Sequence, residues 1–322
     1  MRWRLWQGVL KLVVFVFTLI YLYNVWQGQH IALALNALTA ELESGQNLFL
    51  LTITFSLIFV NWGIEAWKWR LLVKPFYPIS LISSFKAVLA GTSISLWVPN
   101  RAGEYLGRIF FIKPSQRVHG ILATLIGSMA QLLATIIAGA AGLVFYVYHH
   151  TSNPFLGKAL IVIIVASIGI LLFLYFNINR VRGLIPHWHF LQPLRKQLII
   201  YRKFHAHELN LVLFWSLLRY AVFCGQFVLL LTVFHSGVPV VNAYFTIFLI
   251  YLVQSALPGN SLTELGTRGA SSIWFFSAYT SNFAAVSAAT YSLWLINVII
   301  PAIVGLGFFM GAKWGRGKVV RL

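Results

Sequence analysis

Two glutamate–arginine pairs at the same spacing are the side chains of this sequence most able to do chemistry. Glu104 precedes Arg108 by four residues, and Glu264 precedes Arg268 by four. In a helix each pair lies on one face and can form an ion pair. An arginine held in this way can present donors to a phosphate or carboxylate. Because ionisable residues inside apolar segments are costly unless they are paired or wetted, we predict a substrate-binding or ion-coupling site at these pairs.

The pairs belong to two copies of one motif in opposite halves of the chain. The copies read S-L-W-V-P-N-R-A-G-E-Y-L-G-R from Ser95 to Arg108 and S-A-L-P-G-N-S-L-T-E-L-G-T-R from Ser255 to Arg268. An ungapped offset of 160 residues (264 − 104) aligns four polar positions: Ser95 with Ser255, Asn100 with Asn260, Glu104 with Glu264 and Arg108 with Arg268. This agreement predicts an internal repeat.

A helix cap is the structural alternative for the second copy. Ser261 and Glu264 have the spacing of a capping box, which needs no ligand. Asn100 and Glu104 are four residues apart, so capping does not explain the first copy.

Each copy also carries residues that interrupt helices. Apolar regions at about 79 to 97 and 240 to 257 end at prolines. We interpret each as a broken hairpin that enters the membrane and turns back, with two short full spans as the alternative. Non-helical backbone at membrane depth is tolerated where it is buried in protein or lines a wet cavity, so the breaks predict such a cavity. The predicted breaks are at Pro99, Gly103, Pro258 and Gly266.

Three further basic residues are candidates for the same site. Arg219 lies too deep in its apolar segment to reach the membrane surface, so we expect it to face the cavity, towards Gln226, Gln254 or a glutamate of the hairpins. It could bind an anion or form a structural pair. Arg101 beside the first break and Lys86 in the first hairpin are weaker candidates.

Glu65 is interpreted differently. Tryptophans surround it and Lys68 is three residues away, which indicates a salt bridge at the membrane interface.

Composition sets the class of protein. Hydrophobic residues make up 59% of the chain and charged residues 9%, and the mean hydropathy is +0.81. This combination predicts an all-α polytopic membrane protein. We predict a single membrane domain, 1–322, with two hairpins and six spans, near residues 8 to 26, 47 to 66, 119 to 148, 157 to 177, 209 to 233 and 283 to 310.

The basic residues orient the spans. Of 24 lysines and arginines, Lys158 alone falls in a connection that we place outside, so both termini and the basic amphipathic loop 178–208 are expected in the cytoplasm. The two motif copies then approach the membrane from opposite faces. Residues 1–148 and 157–310 would form two inverted repeats, an architecture shared by many transporters.

Several classes of function are disfavoured. The histidines lack the spacing of a metal site, and no nucleotide-binding or hydrolase motif is present, so we predict no metal, no cofactor and no catalytic residue. The net charge of +18 is explained by the basic residues that orient the spans and by their attraction to anionic lipid, so we predict no nucleic acid partner. Cys224, the single cysteine, is expected to be a packed, inert thiol.

The motifs resemble the transmembrane region of the lysylphosphatidylglycerol synthase and flippase family. The resemblance rests on W-K-W-R-L-L from Trp67 to Leu72 and on the two Pro to Glu to Arg motifs, and it extends from about residue 8 to 310. It implies a lipid-translocating module with two re-entrant segments and a polar cavity. It also implies functional positions at Pro99, Arg101, Gly103, Glu104, Arg108, Pro258, Glu264, Gly266 and Arg268.

Two departures from the family pattern limit what it implies. An aminoacyl-transferase domain is absent from this sequence, so lipid aminoacylation is not expected of it. Thr263 stands where the first copy has Gly103, so the two copies are not expected to form fully equivalent sites.

We therefore expect a flippase-like transporter in a bacterial inner membrane that moves a phospholipid or lipid-linked head group between leaflets. An intramembrane enzyme using Glu104 or Glu264 as general base, a membrane scaffold and a transporter of small anions are the alternatives. The expected partners are membrane lipids, anionic or modified in the head group, and a homo-oligomer is possible. The substrate-binding residues are predicted to be Arg101, Glu104, Arg108, Arg219, Glu264 and Arg268.

Overall fold

The structure is a computed structural model that describes residues 2–26, 29–98, 102–150, 154–177, 204–257 and 261–312. These residues form helices and connections without a β-strand. The helices are α1 (Arg2–Trp26), α2 (Gln29–Ser44), α3 (Leu48–Val73), α4 (Leu81–Ser95), α5 (Gly103–Ile109), α6 (Arg117–His150), α7 (Pro154–Phe176), α8 (Ala206–Val233), α9 (Val240–Ala256), α10 (Ser261–Phe276), α11 (Phe283–Trp294) and α12 (Ile300–Gly311). Most of the predicted basic loop, 178–203, lies outside the described residues.

Four helical segments are long and apolar enough to cross a membrane. They are Leu48–Val73, Pro114–His149, Ala206–Val233 and Phe283–Gly311. Each exceeds the roughly 20 residues that a bilayer core requires, so the chain is a multi-pass helical membrane protein, as predicted. The other two predicted spans coincide with α1 and α7, and their crossing of the membrane remains a prediction.

Helix α2 lies where the sequence indicated only an external connection. It places Ile31, Ala34 and Leu38 on one face, and these three side chains are buried. Spacings of three and four residues are those of an amphipathic helix. Glutamates and other polar residues on the opposite face lower its hydropathy, which is why a search for continuous apolar segments misses it.

Helices α4 and α5 form a hairpin whose backbones touch. A Cβ added to Gly107 would overlap the backbone of Gly91 and Ala90, and one added to Gly103 would overlap the backbone of Ile94 and Ser95. Positions later in α5 thus face positions earlier in α4, so the two helices are antiparallel. Glycine is required here because no side chain fits between the helices.

The helices recur at the offset that aligns the two motifs. Shifted by 160 residues, α3 and α4 coincide closely with α8 and α9, and α6 coincides with the segment from α11 to α12. The shorter helix α5 falls within the first half of α10. The packing is reciprocal as well, because α4 packs on α12 and α9 packs on α6. Both contacts are made at glycine, with Gly305 against the Leu89 carbonyl and Gly142 against Phe245.

A π-helical turn, Leu295–Ile299, joins α11 to α12. Ile300 donates its backbone N–H to the carbonyl of Leu295. Pro301 follows immediately and has no N–H to donate, which removes one α-helical hydrogen bond at this point. The turn carries Asn297, which is buried.

Candidate functional site

A cavity of about 280 Å³ lies between the two hairpins and the helices around them. Its lining includes residues of α3, α4, α5, α6, α8, α9 and α10 and of the π turn. Both copies of the motif contribute equivalent residues, since the lining contains Ser95 and Ser255 as well as Glu104 and Glu264. The structure therefore brings the duplicated glutamates to one shared space. The other charged side chains of the lining are Arg219 and Arg268.

The first predicted pair is formed, and it extends to a third residue. Arg108 on α5 donates from Nη2 to Glu104 Oε2 at 2.8 Å and to Glu65 Oε1 at 3.0 Å. Arg108 is buried, with its helix held against α4 by Gly107. The four-residue spacing places Glu104 and Arg108 on the same face of α5. The close packing of Gly107 on α4 fixes the position of α5, and with it that of the pair.

Glu65 on α3 is the centre of the charge cluster. Its Oε2 lies 3.0 Å from Lys68 Nζ and 3.2 Å from Arg219 Nη1, and its Oε1 accepts from Arg108. Three cations thus surround one buried carboxylate. Desolvation of so many charges is offset only if they pair closely, as these do. The pairing with Lys68 was predicted, and both side chains are buried. Their predicted position at the membrane interface stays a prediction.

Arg219 on α8 connects the cluster to the π turn. It donates from Nε to Asn61 Oδ1 at 3.0 Å, and Asn61 donates in turn to Asn297 Oδ1 at 2.7 Å. Its guanidinium also lies over the ring of Trp62, at 5.3 Å from the centroid, in a cation–π contact. The position predicted for Arg219, deep in its apolar segment, is thus explained by its contacts with α3, where Glu65 is its acidic partner.

The second predicted pair is formed on α10. Arg268 Nη2 donates to Glu264 Oε2 at 3.0 Å, and the guanidinium lies 5.8 Å from the ring centroid of Tyr251 on α9. The Nε–H of Arg268 is buried and has no acceptor among the described residues. Gln254 donates to Ser271 at 3.1 Å, which links α9 to α10.

In both pairs the carboxylate, not the guanidinium, is the more exposed partner. Side-chain exposure is 17% for Glu104 against 3% for Arg108, and 27% for Glu264 against 9% for Arg268. Arg108 lies behind Glu104 and does not line the cavity. The cavity therefore presents two carboxylates, Arg219 and Arg268.

Several residues that the sequence assigned to the site lie away from the cavity or outside the described residues. Pro99, Arg101 and Pro258 lie outside the described residues, although α4 ends before Pro99 and α9 ends before Pro258. Lys86 lies against the ring of Phe308, at 5.5 Å from its centroid, away from the cavity lining. Gln226 is buried and donates to the Thr54 carbonyl.

The break predicted at Gly266 is wrong. Gly266 lies inside α10, with helix on both sides. Helix α9 ends at Ala256 and α10 begins at Ser261, so the chain is already helical at this position. Gly103 does stand at the start of α5, and its additional role is close packing on α4. The side chain of Ser261, on which the capping alternative depends, is not among those described.

Sequence reasoning missed Asn61, Gln131 and Asn297 as members of the site. A signal for part of this set was present, because Asn61, Glu65 and Lys68 are spaced four and three residues apart within an apolar segment. That spacing places all three on one face of a membrane helix. No such pattern surrounds Gln131, which accepts from Lys68 at 3.3 Å.

The chemistry available in the cavity is that of charge and hydrogen bonding. Guanidinium groups bind phosphate or carboxylate with directed hydrogen bonds, and the two glutamates accept from cationic or hydroxyl donors. Among the described residues, no group of three or more His, Cys, Asp or Glu side chains is placed to hold a metal ion.

Comparison with known proteins identifies one family. The family model described as Lysylphosphatidylglycerol synthase TM region matches residues 8–307, which confirms the resemblance drawn from the motifs. No curated protein and no solved structure matches the chain.

Proposed function

The chain belongs to the lysylphosphatidylglycerol synthase TM region family, and on that premise we propose that it moves a phospholipid or lipid-linked head group between membrane leaflets. In this proposal the head group enters the cavity between the two hairpins and the acyl chains stay in the bilayer. The observation that carries the proposal is that Glu104 and Glu264, equivalent in the two motif copies, line one cavity.

The lengths of the hairpin helices support re-entrant segments. Helix α4 has 15 residues and α5 has 7. At 1.5 Å per residue they extend roughly 22 Å and 10 Å, less than the roughly 30 Å of a hydrocarbon core. Interrupted helices of this kind border the substrate sites of many transporters.

The repeat supports a mechanism of alternating access. The matched helices and the reciprocal contacts of α4 with α12 and α9 with α6 fit two halves built alike. If the halves are inverted, as the basic residues indicate, an exchange of conformation between them opens the cavity to one leaflet and then the other. Such an exchange needs no bound nucleotide.

The cluster gives the charged residues distinct roles in this proposal. Glu65 holds Arg108 and Arg219 in position, Glu104 and Glu264 face the head group, and Arg219 with Arg268 meets its phosphate. This differs from the expectation that all three arginines contact phosphate, because Arg108 is covered by Glu104. The substrate contact expected of Arg101 stays a prediction.

Reconstitution into liposomes tests the proposal. Purified protein should accelerate exchange of a fluorescent phospholipid between leaflets, measured as the fraction of label quenched by an impermeant reductant. Glu264→Gln should reduce the accelerated rate, because it removes a cavity-facing carboxylate while keeping the side-chain size. Glu43→Gln is the matched control, since Glu43 is an exposed glutamate on α2.

The alternatives give different results in the same liposomes. An intramembrane enzyme would produce a chemically altered lipid, detected by mass spectrometry. A scaffold would give no accelerated exchange, and Glu264→Gln would change only the melting temperature. Exchange at the protein-free rate in wild-type liposomes would contradict the proposed function.

A further inference from the structure

Three segments that meet at one end of the molecule contain no lysine or arginine. The segments are residues 29–47, 234–239 and 277–282. Thr280 donates from Oγ1 to the Ser236 carbonyl at 2.6 Å, and Asn282 donates from Nδ2 to the His235 carbonyl at 3.3 Å, which joins the third segment to the second. Because basic residues accumulate in cytoplasmic connections, their absence indicates that this end of the molecule faces away from the cytoplasm.

The side chain of Asn47 fastens the end of α2 to the connection between α8 and α9. Its Nδ2 donates to Glu41 Oε2 on α2 at 2.8 Å and to the Val233 carbonyl at the end of α8 at 3.1 Å. The same nitrogen lies 3.3 Å from Nε2 of His235. Glu41 is half-buried, whereas Glu43, the other acidic residue of α2, is exposed. We call the group of Glu41, Asn47, Val233 and His235 the latch.

The contacts of Asn47 determine which form of His235 fits the latch. The amide cannot be reversed, because its oxygen would then face two acceptors, the Glu41 carboxylate and the Val233 carbonyl. The amide nitrogen therefore faces His235, and Nε2 of the ring has to accept. A neutral imidazole with its proton on Nδ1 can accept at Nε2, whereas a protonated imidazole has donors at both nitrogens. The latch thus fits only the neutral ring.

The backbone of His235 holds the ring at the latch. Its φ of +52° lies in the left-handed region, which few residues other than glycine adopt. Its N–H donates to the Thr232 carbonyl at 3.1 Å, and its carbonyl accepts from the uncharged amide of Asn282. Glu41 is the charged group that Asn47 contacts. A protonated ring can therefore reach this carboxylate only by displacing the Asn47 amide, which opens the latch.

Helix α2 connects the latch to the helix that carries the second charged pair. Both α2 and α10 pack on α11. Ile31 and Ala34 of α2 belong to the same hydrophobic cluster as Leu265 of α10 and Tyr291 of α11. Leu265 is adjacent in sequence to Glu264, which lines the cavity. Opening of the latch would leave α2 attached through its apolar face, on the cluster that also supports α10.

We infer that Asn47 and His235 form a proton-sensitive latch, which holds the end of α2 in place while His235 is neutral and releases it when His235 is protonated from outside the cytoplasm. Histidine is the side chain that changes charge between about pH 5 and 8, so the latch responds to mild acidification. Release of α2 does not depend on what the protein transports. The effect of that release on the cavity rests on the proposed function.

Hydrogen exchange of the purified full-length protein, measured by mass spectrometry at about pH 5.5 and about pH 7.5, tests the latch. After correction for the intrinsic exchange rates, amides of residues 38–52 should exchange about fivefold faster at the lower pH, a factor typical for the loss of one hydrogen bond. His235→Gln should abolish this difference, because glutamine does not titrate. His207→Gln is the matched control and should keep it, because His207 is an exposed histidine near the start of α8. Melting temperatures establish that each variant is folded.

Asn47→Asp provides a second test, whose expected result a general loss of stability cannot produce. The new carboxylate would repel Glu41 and the Val233 carbonyl at the higher pH, and it would pair with a protonated His235 at the lower pH. Amides of residues 38–52 should then exchange faster at the higher pH, which reverses the order seen in the wild type. A variant that is only destabilised would exchange faster than wild type at both pH values and keep the wild-type order.

The outcomes separate this inference from the proposed function. Equal exchange of the wild type at the two pH values, or a difference that persists in His235→Gln, overturns the latch. In liposomes with the same pH on both sides, the protein-dependent rate of leaflet exchange should rise on acidification for the wild type but not for His235→Gln. A rate without this rise, in a protein whose α2 is released, overturns the effect on the cavity. Absence of lipid exchange at either pH contradicts the proposed function and leaves the latch standing.

Discussion

Gly107 on α5 contacts the backbone of Gly91 on α4 directly, so that the two halves of the first hairpin meet without an intervening side chain. The equivalent positions in the second hairpin are Thr267 and Tyr251, and both line the cavity. The first hairpin is therefore closed by its own backbone, whereas the second presents side chains to the cavity. The two motif copies share their charged pair and differ in packing.

The first prediction concerns this contact. Gly107→Ala should destabilise the protein by about 1–3 kcal/mol, as expected for overpacking a closed core. The measurement is thermal unfolding in detergent followed by circular dichroism. Gly266→Ala is the matched control, because Gly266 lies within α10 with open space around it. Alanine there should leave the protein unchanged or stabilise it by about 0.5–1 kcal/mol. Equal melting temperatures for the two variants would contradict the close packing.

The second prediction concerns the centre of the charge cluster. Glu65→Gln leaves Lys68 and Arg219 without their buried carboxylate. Removal of one partner from a buried ion pair costs about 3–5 kcal/mol, so the melting temperature should fall steeply. Glu43→Gln changes an exposed glutamate in the same way and should have little effect. A Glu65→Gln variant as stable as wild type would show that the cluster does not hold the helices together.

A third prediction concerns the amide pair that links α3 to the π turn. Asn61 donates to Asn297 at 2.7 Å, and both side chains are buried. Asn297→Ala leaves the Asn61 amide without this acceptor and should cost about 1–3 kcal/mol. A double-mutant cycle with Asn61→Ala measures the coupling. Fully additive effects would mean that the two amides do not interact.

A fourth prediction concerns access to the cavity. Cys224 is the only cysteine in the chain and is buried, so wild-type protein should react slowly with a small, water-soluble thiol reagent. Ser255→Cys introduces a thiol into the cavity lining and should be labelled much faster. Ser84→Cys, at a buried position on α4, is the control and should react no faster than wild type. Labelling of Ser84→Cys at the rate of Ser255→Cys would show that reactivity does not report the cavity.

Much of the helical layout could be predicted from the sequence. Long apolar segments identify α3, α6 and α8 because a bilayer demands about 20 consecutive apolar residues. The prolines identify where α4 and α9 end, because the residue before a proline disfavours helix. Helix α2 escaped prediction because its apolar face is only part of its surface.

The arrangement of the site was harder to predict. Glu65 pairs with Arg108, 43 residues away in sequence, and with Arg219, 154 residues away. No local spacing connects residues so distant, and the choice among possible partners depends on how the helices pack. The exposure of the glutamates relative to their arginines depends on the same packing, because a four-residue spacing does not determine which partner faces the cavity.

The π turn determines which face of the helix after it packs against the first half of the molecule. A π turn holds one residue more than an α-helical path of the same length. A single residue rotates a helix by about 100°, so Leu295–Ile299 sets the angular phase of everything that follows it. That phase aims Gly305 at the Leu89 carbonyl. Deleting one residue within the turn would rotate α12 and place a side chain, instead of Gly305, against α4. The two halves of the molecule would then no longer pack closely at this contact.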